Sequence, residues 1–95
     1  MRRVHDKIEV EVRSSTSGEQ RLVAFTWHGT RYVIGRMLGV WLPALRSPVV
    51  YQSIATTKGE VFELHAEVGG QWMLDAIPNS VAPKEDVLNG GLVAN

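Results

Sequence analysis

The feature that most constrains the fold of this chain is the alternation of apolar and polar residues with a period of two. In the run IEVEVR, Ile8, Val10 and Val12 alternate with two glutamates and an arginine. Because successive side chains of a β-strand point to opposite faces, this run predicts a strand with one buried and one solvated face. Similar runs predict further strands, at 21–27, 31–41, 49–57, 60–68 and 71–78.

A His28-Gly29 doublet separates the second and third predicted strands and sets their pairing. If it forms a two-residue hairpin loop, residues of one face fall opposite one another in three pairs: Trp27–Thr30, Phe25–Tyr32 and Val23–Ile34. Such a loop requires a positive φ at both positions, which glycine adopts freely and histidine tolerates. The aromatic and basic stretch FTWHGTRYVIG is thereby explained as a folding signal.

Two further turns are predicted in the second half of the chain. A three-residue loop at 68–70 puts Gly70 in a left-handed bulge and pairs residues of the core face: Ala66–Trp72, Leu64–Leu74 and Phe62–Ala76. A Lys58-Gly59 loop places three residues of the preceding strand on the core face: Tyr51, Ser53 and Ala55.

These elements predict an all-β fold, an antiparallel meander of about six strands. The apolar face of this meander must be covered. The meander can close on itself as a curled sheet or partly open small barrel, it can be covered by the tail or the central loop, or it can pack against a second copy of the chain. The third strand is expected to bend at Gly35 or Gly39, and Pro43 and Pro48 bound the loop that follows it. We expect one domain over residues 1–78 and a loose tail over 79–95 with one short helical turn from Pro83.

Composition and motifs exclude several classes of function. The 95 residues include no cysteine, and the three histidines lack the spacing of a zinc site. No phosphate-binding loop, dinucleotide-binding motif or nucleophile elbow occurs. No apolar run approaches the roughly 18 residues of a membrane span, and the N-terminus carries no secretory signal. We therefore expect a cytoplasmic, non-enzymatic protein with no cofactor, no metal site and no membrane partner.

The best titratable cluster consists of Glu63, His65, Glu67 and Asp75, which share the face opposite the core in the predicted register. Two carboxylates and an imidazole within cross-strand reach are typical of a divalent metal site or an acid–base pair. A solvated outer face explains the same pattern, and we favour that interpretation. In this register Glu63 lies opposite Asp75, an unfavourable pairing of like charges that tests the register itself.

Charge is unevenly distributed although the net charge is zero. Residues 1–46 carry eight Lys/Arg and four Asp/Glu, whereas residues 47–95 carry two and six. This indicates either a basic face for nucleic acid or strands whose charges pair across the sheet. For the first alternative, the predicted contacts to a single strand are Arg21, Arg31 and Arg36, with tryptophans as stacking platforms. Trp27 and Trp72 alternate in phase with apolar residues, so we place both in the core.

The segment MLGVWLPAL is apolar on more than one face. Since a strand buries alternate residues, about half of its side chains are expected outside the core, unless the segment plugs the barrel. An exposed apolar patch usually marks a partner or a second copy of the chain. The candidate interaction residues are Leu38, Trp41, Leu42 and Leu45.

Several aromatic strand markers resemble those of a known family. They are Trp27, Gly29, Tyr32 and Val33, then Trp41, then Phe62-Glu63-Leu64, and finally Trp72 and Leu74. The pattern resembles a family of small bacterial β-domains of unknown function, common in actinobacteria and similar to the C-terminal segment of inactive Y-family DNA polymerase relatives. The chain departs from that family at Val33-Ile34, where a basic residue is usual, and in its less basic fourth strand. The resemblance implies a β-rich binding module with no catalytic residues to transfer.

Together these observations predict a non-enzymatic protein-interaction module, accessory to DNA repair, whose partner is another protein or a second copy of the chain. A weak single-stranded nucleic-acid binder that uses the basic N-terminal half is the alternative, and an enzyme built on Glu63, His65 and Asp75 ranks third. Salt dependence separates the first two, because phosphate contacts release counterions.

Overall fold

The computed structural model of the chain describes residues 1–42 and 48–81, which form a closed antiparallel β-barrel. The strands follow one another around the barrel in chain order, and the last pairs with the first. The predicted all-β meander is confirmed. The helical turn expected from Pro83 lies outside the described residues, as does Leu45. The strands are β1 Arg2–Ser14, β2 Gln20–Trp27, β3 Thr30–Trp41, β4 Tyr51–Thr56, β5 Val61–Ala66 and β6 Trp72–Ile77.

Two long strands divide their pairing between two neighbours. In β1, residues 2–8 pair with β6, and residues 9–14 pair with β2. In β3, residues 30–33 pair with β2, and residues 34–41 pair with β4. A strand that changes partner halfway along carries the chain from one sheet surface to another, and this division closes the barrel with only six strands.

Inward-facing side chains from all six strands fill the barrel. Phe25 stacks on Tyr32 and meets Phe62 edge-on, with ring centroids 5.1 Å apart in both pairs. Each fully buried side chain of this size stabilises the fold by about 1.5–3 kcal/mol relative to an exposed one. Trp27 lies in the core as predicted, and its Nε1 donates a hydrogen bond to Asp6. The buried cluster is Ile8, Phe25, Trp27, Ile54, Phe62, Leu64, Leu74 and Ile77.

The hairpin between β2 and β3 has the predicted two-residue turn. His28 has a φ of 50° and Gly29 a φ of 78°, as a tight turn of this kind requires. The pairs Phe25–Tyr32 and Trp27–Thr30 are confirmed. The third predicted pair is not formed, because the ladder between β2 and β3 ends at Ala24–Val33.

The predicted core face of β4 is wrong. The turn after β4 has three residues, 57–59: the Thr56 N–H donates to the Glu60 carbonyl, and the Thr56 hydroxyl accepts from the N–H groups of Lys58 and Glu60. The turn is thus one residue longer than expected, and a slip of one residue moves every side chain to the other face. Ile54 therefore points into the core in place of Tyr51 and Ser53, whereas Ala55, the third expected residue, is buried.

The β5–β6 hairpin confirms two of three predicted pairs, Ala66–Trp72 and Leu64–Leu74. The third is wrong, because a bulge at this point leaves Ala76 opposite Glu63. A bend was expected in β3 at Gly35 or Gly39, and the ladder to β4 shifts register at or beside both, between Ile34 and Arg36 and between Met37 and Gly39. A Cβ at Gly35 would lie 3.2 Å from the Thr56 carbonyl oxygen, so glycine permits the close approach of β4.

The β2–β3 turn makes a testable contrast between its two residues. Gly29→Val forces a β-branched side chain to a positive φ, and we expect it to lower the free energy of unfolding by about 1–3 kcal/mol. His28→Asn keeps a residue that tolerates this conformation and should change stability little. Thermal melts of the two variants measure the difference, and equal stabilities would contradict this account of the turn.

Candidate functional site

A cleft opens where the ladder between β2 and β3 ends. The last pair that joins β2 to β3 is Ala24–Val33. All of residues 20–41 are described by the structure, and beyond this pair the two strands are not paired with each other. The first residues of β2 stay bound to β1, and the second half of β3 stays bound to β4. The facing edges of the two strands therefore border an opening in the barrel, which we call the β2–β3 cleft.

The β2–β3 cleft contains a cavity of about 470 Å³. This volume lies within the range of about 300–1,000 Å³ typical of ligand pockets. Its walls are mostly apolar, with basic and amide side chains among them. The lining residues from β1 and β2 are Val12, Arg13, Gln20, Arg21, Leu22 and Val23; those from β3 are Ile34, Gly35, Arg36 and Met37; the remainder are Gln52, Ile54 and Trp72.

Three arginines from two sides of the cleft are among the residues that line this cavity, and all three are exposed. Arg13 and Arg21 are direct cross-strand partners on β1 and β2, and Arg36 follows the bulge in β3. Like charges directly opposite each other destabilise a sheet. Among the described residues, none of the three guanidinium groups forms an ion pair with a carboxylate. The exposed border of the cleft thus carries positive charge that the described part of the chain leaves uncompensated.

The structure brings together two of the three predicted basic contacts, Arg21 and Arg36. Arg31 lies elsewhere: it binds Glu11 through two hydrogen bonds, of 2.7 Å from Nε and 3.0 Å from Nη2. The hydrogen bond from Arg31 holds the pKa of the Glu11 carboxyl below its ordinary value. Arg13 was missed by sequence reasoning, although a register of β1 against β2 would have placed it opposite Arg21.

Gln52 and Trp72 complete the cavity. The Gln52 Oε1 is fully buried and accepts no hydrogen bond from the described residues. A buried acceptor without a donor costs about 1–3 kcal/mol. Trp72, predicted as core, is half-buried: it packs against the buried cluster with part of its surface and lines the cavity with another. The cavity therefore has an aromatic residue in its wall, and Gln52 keeps a buried, unpaired acceptor beside it.

The predicted apolar patch is exposed along β3. Met37, Leu38, Val40, Trp41 and Leu42 are each between 38% and 55% exposed. Trp41 is the best anchored of them, because its ring stacks on Tyr51 with centroids 5.7 Å apart. The patch begins at the cavity, where Met37 lines the wall, and continues to the end of the strand.

The titratable cluster on β5 and β6 is not the solvated outer face that we expected. His65 and Asp75 are buried, with 4% and 9% of their surface exposed, and His65 Nδ1 lies 2.7 Å from Asp75 Oδ2. The predicted Glu63–Asp75 pairing is also wrong, because a bulge in the β5–β6 ladder puts Ala76 opposite Glu63. Glu63 instead accepts a hydrogen bond of 2.9 Å from Arg3.

The His65–Asp75 pair serves as a buried cross-strand link. The Tyr51 ring covers the imidazole at a centroid distance of 4.6 Å, and Glu67 Oε2 lies 3.6 Å from Nε2 on the solvent side. Within residues 1–42 and 48–81, no group of three His, Asp or Glu side chains has the geometry of a metal site. The arrangement ties β5 to β6 beneath Tyr51.

Comparison of the chain with family models, curated proteins and solved structures finds no match. The resemblance to the small bacterial β-domains and to Y-family polymerase relatives therefore stays a prediction. In the part of the chain that the structure describes, no helix has the length and apolar character of a membrane crossing.

The buried link predicts a clear difference between two neighbouring substitutions. We expect His65→Ala to lower the free energy of unfolding by about 2–3 kcal/mol, because the buried Asp75 carboxylate loses its partner. Glu67→Ala removes a half-exposed carboxylate and serves as the control, with an expected change of less than about 0.5 kcal/mol. Urea denaturation measures both, and a similar loss in the two variants would contradict a structural role for the pair.

Proposed function

We propose that this chain is a non-enzymatic protein-interaction module, which binds an extended segment of a partner protein along the second half of β3. The observation that carries the proposal is the open edge of β3. Residues 34–41 pair with β4 on one side and, within the described residues, with no strand on the other. An unpaired strand edge is a template onto which another chain can add a strand.

The side chains along this edge suit such a partner. Exposed apolar residues from Met37 to Leu42 supply area to bury, and Trp41 supplies an anchored aromatic ring. Aromatic residues are enriched among the few that dominate binding energy at interfaces. The predicted interaction residues Leu38, Trp41 and Leu42 thus lie together at one edge of the barrel, and the fourth, Leu45, lies outside the described residues.

Charge selects the kind of partner. Arg21 and Arg36 border the cleft from opposite sides and have no carboxylate partner among the described residues. An extended segment with acidic residues compensates this charge as it enters. A second copy that docked by the same edge would add its own Arg36 to the seam, which is unfavourable. We therefore assign the edge to an acidic segment of another protein.

The lining of the cleft favours binding over catalysis. Its described residues are apolar, amide or arginine side chains, with no carboxylate, imidazole, hydroxyl or thiol among them. A setting in DNA repair follows from the family resemblance alone, and a cytoplasmic location is part of the same proposal. No cofactor is invoked.

Single-stranded nucleic acid is the alternative partner. The observation that favours it is the position of Trp72 in a cavity with three arginines, since such groove proteins combine aromatic platforms with positive charge. Binding of a single nucleic-acid strand gives the exposed apolar residues of β3 nothing to contact, and for this reason we rank nucleic acid second.

The edge of β3 can be tested with peptides selected from a random display library. We expect the selected peptides to be acidic with alternating apolar residues, and to protect backbone amides of β3 from hydrogen exchange. Trp41→Ala should weaken binding by about tenfold or more because it removes the aromatic anchor. The melting temperature should change little, because Trp41 lies outside the buried cluster.

Val68→Ala is the matched control, because Val68 is an exposed apolar residue in the β5–β6 turn, far along the chain from β3. Equal binding by the Trp41 and Val68 variants would contradict the proposal. If sedimentation shows a dimer that forms with increasing concentration, and the β3 amides are protected in that dimer, the edge binds a second copy of the chain. Binding of an oligonucleotide, with an affinity that falls steeply with salt, would favour the alternative.

A further inference from the structure

We propose that the chain itself supplies a strand for the open edge of β3, and that this strand competes with the partner protein. The strand is formed by residues 85–88, Glu-Asp-Val-Leu, which lie outside the described residues and which we call the EDVL segment. The docking follows from the barrel and the sequence, whereas the competition rests on the proposed function. The partner then binds by displacing the EDVL segment.

The chain leaves the barrel toward the end of β3 at which the open edge begins. Since β3–β4, β4–β5 and β5–β6 are all antiparallel, β6 runs opposite to β3. Following the cross-strand partners from β3 to β6 puts Trp41 level with Met73, and Gly39 level with Ala76. β6 therefore runs toward the Arg36 end of the open edge. A segment that turns back after β6 runs parallel to β3, from Arg36 onward.

The EDVL segment is close enough along the chain to reach this edge. The Val81 N–H donates to the Pro78 carbonyl in a turn after β6, and Val81 packs against the buried cluster. Three strand spacings separate β6 from β3, which is about 14 Å along the sheet. The chain from Val81 to Asp86 spans up to about 17 Å when extended. Asp86 therefore reaches the position beside Arg36.

The order of charged and apolar residues matches along the two strands in the parallel direction. On β3, Arg36 is followed by Met37 and Leu38, which are 51% and 43% exposed. In the EDVL segment, two carboxylates are followed by Val87 and Leu88. A parallel alignment sets the carboxylates beside the exposed guanidinium group and the two apolar pairs beside each other. An antiparallel alignment would set the carboxylates beside apolar side chains.

A strand in this position compensates two features that are unfavourable in the barrel alone. It pairs with the unpaired N–H and C=O groups of the β3 edge, and it covers exposed apolar surface. An attached segment is present at an effective concentration on the order of millimolar, so even a weak contact occupies the edge. The extended form of the EDVL segment replaces the helical turn predicted from Pro83.

Charge reversal in the full chain tests the docking. The first variant is Arg36→Glu, the second combines Glu85→Lys with Asp86→Lys, and the third combines all three substitutions. The readout is hydrogen exchange, by NMR, of the alternate N–H groups of residues 37–41 that point away from β4. We expect about three- to tenfold faster exchange in the first two variants, because an exposed ion pair is replaced by like charges. The third variant should restore slow exchange.

Lys7→Glu is the matched control for the charge reversal. Lys7 is an exposed basic residue of β1, which pairs with Met73 of β6 and does not line the β2–β3 cleft. Combined with the Glu85 and Asp86 substitutions, it should leave exchange fast. Thermal melts confirm that the barrel is intact in every variant.

Three results of the exchange experiment would overturn the docking. The first is fast exchange of the β3 amides already in the unsubstituted chain. The second is slow exchange that persists in both partial variants, or that Lys7→Glu restores as well as Arg36→Glu does. The third is slow exchange that depends on protein concentration, which would assign the edge to the EDVL segment of a second copy. The proposed function survives the first result if the selected acidic peptides still protect β3.

The competition is tested with the acidic peptides selected for the proposed function. Asp86→Asn should bind them about two- to fivefold more tightly than the unsubstituted chain, because the competing strand loses an ion pair. Glu9→Gln, in β1, removes the same charge from an exposed residue and should leave the affinity unchanged. Equal affinity of the two variants would overturn the competition. If no peptide binds any variant while exchange still depends on charge reversal, the proposed function fails and the docking remains.

Discussion

The division of β1 and β3 between two neighbours is the constraint on which the rest of the structure depends. Each long strand pairs with one neighbour along its first half and another along its second. Closure with six strands follows from this division, because the two sheet surfaces meet at the points where the partners change. The same division ends the β2–β3 ladder early and leaves the second half of β3 with one unpaired edge. The closed barrel and its open cleft thus have a single cause.

The charges in the cleft fit a protein that gives up stability locally for binding. Arg13 and Arg21 face each other across β1 and β2, and Gln52 buries an acceptor without a donor in the described chain. Each of these features is unfavourable in the folded protein alone. Elsewhere in the barrel, comparable groups are paired: Arg31 with Glu11, and His65 with Asp75. Local arrangements of this kind, unfavourable in the folded protein alone, are expected at functional or strained sites.

Sequence reasoning predicted what local chemistry determines and missed what the closed barrel determines. The His28-Gly29 turn was predictable because a positive φ at two positions restricts the residue types. The face of β4 that points into the core was not predictable. Turns of two and of three residues at Lys58-Gly59 give registers that differ by one position, and only the packing of Ile54 in the closed barrel selects between them. The same limit hid the site. Arg21 and Arg36 were predicted as basic contacts, but the cleft that they border exists only because the β2–β3 ladder ends at Ala24–Val33, which no residue pattern marks.

A chain of ring contacts connects the buried link to the exposed edge of β3. Trp41 stacks on Tyr51, Tyr51 lies over His65, and His65 binds Asp75, so the contacts cross β3, β4, β5 and β6 in order. Each ring is held by the next, and the last is fixed by a hydrogen bond between buried groups. An aromatic side chain fixed before its partner arrives loses less conformational entropy on binding than a mobile one. The buried His65–Asp75 pair is thus connected, through the Tyr51 ring, to the Trp41 ring at the edge where we place the partner.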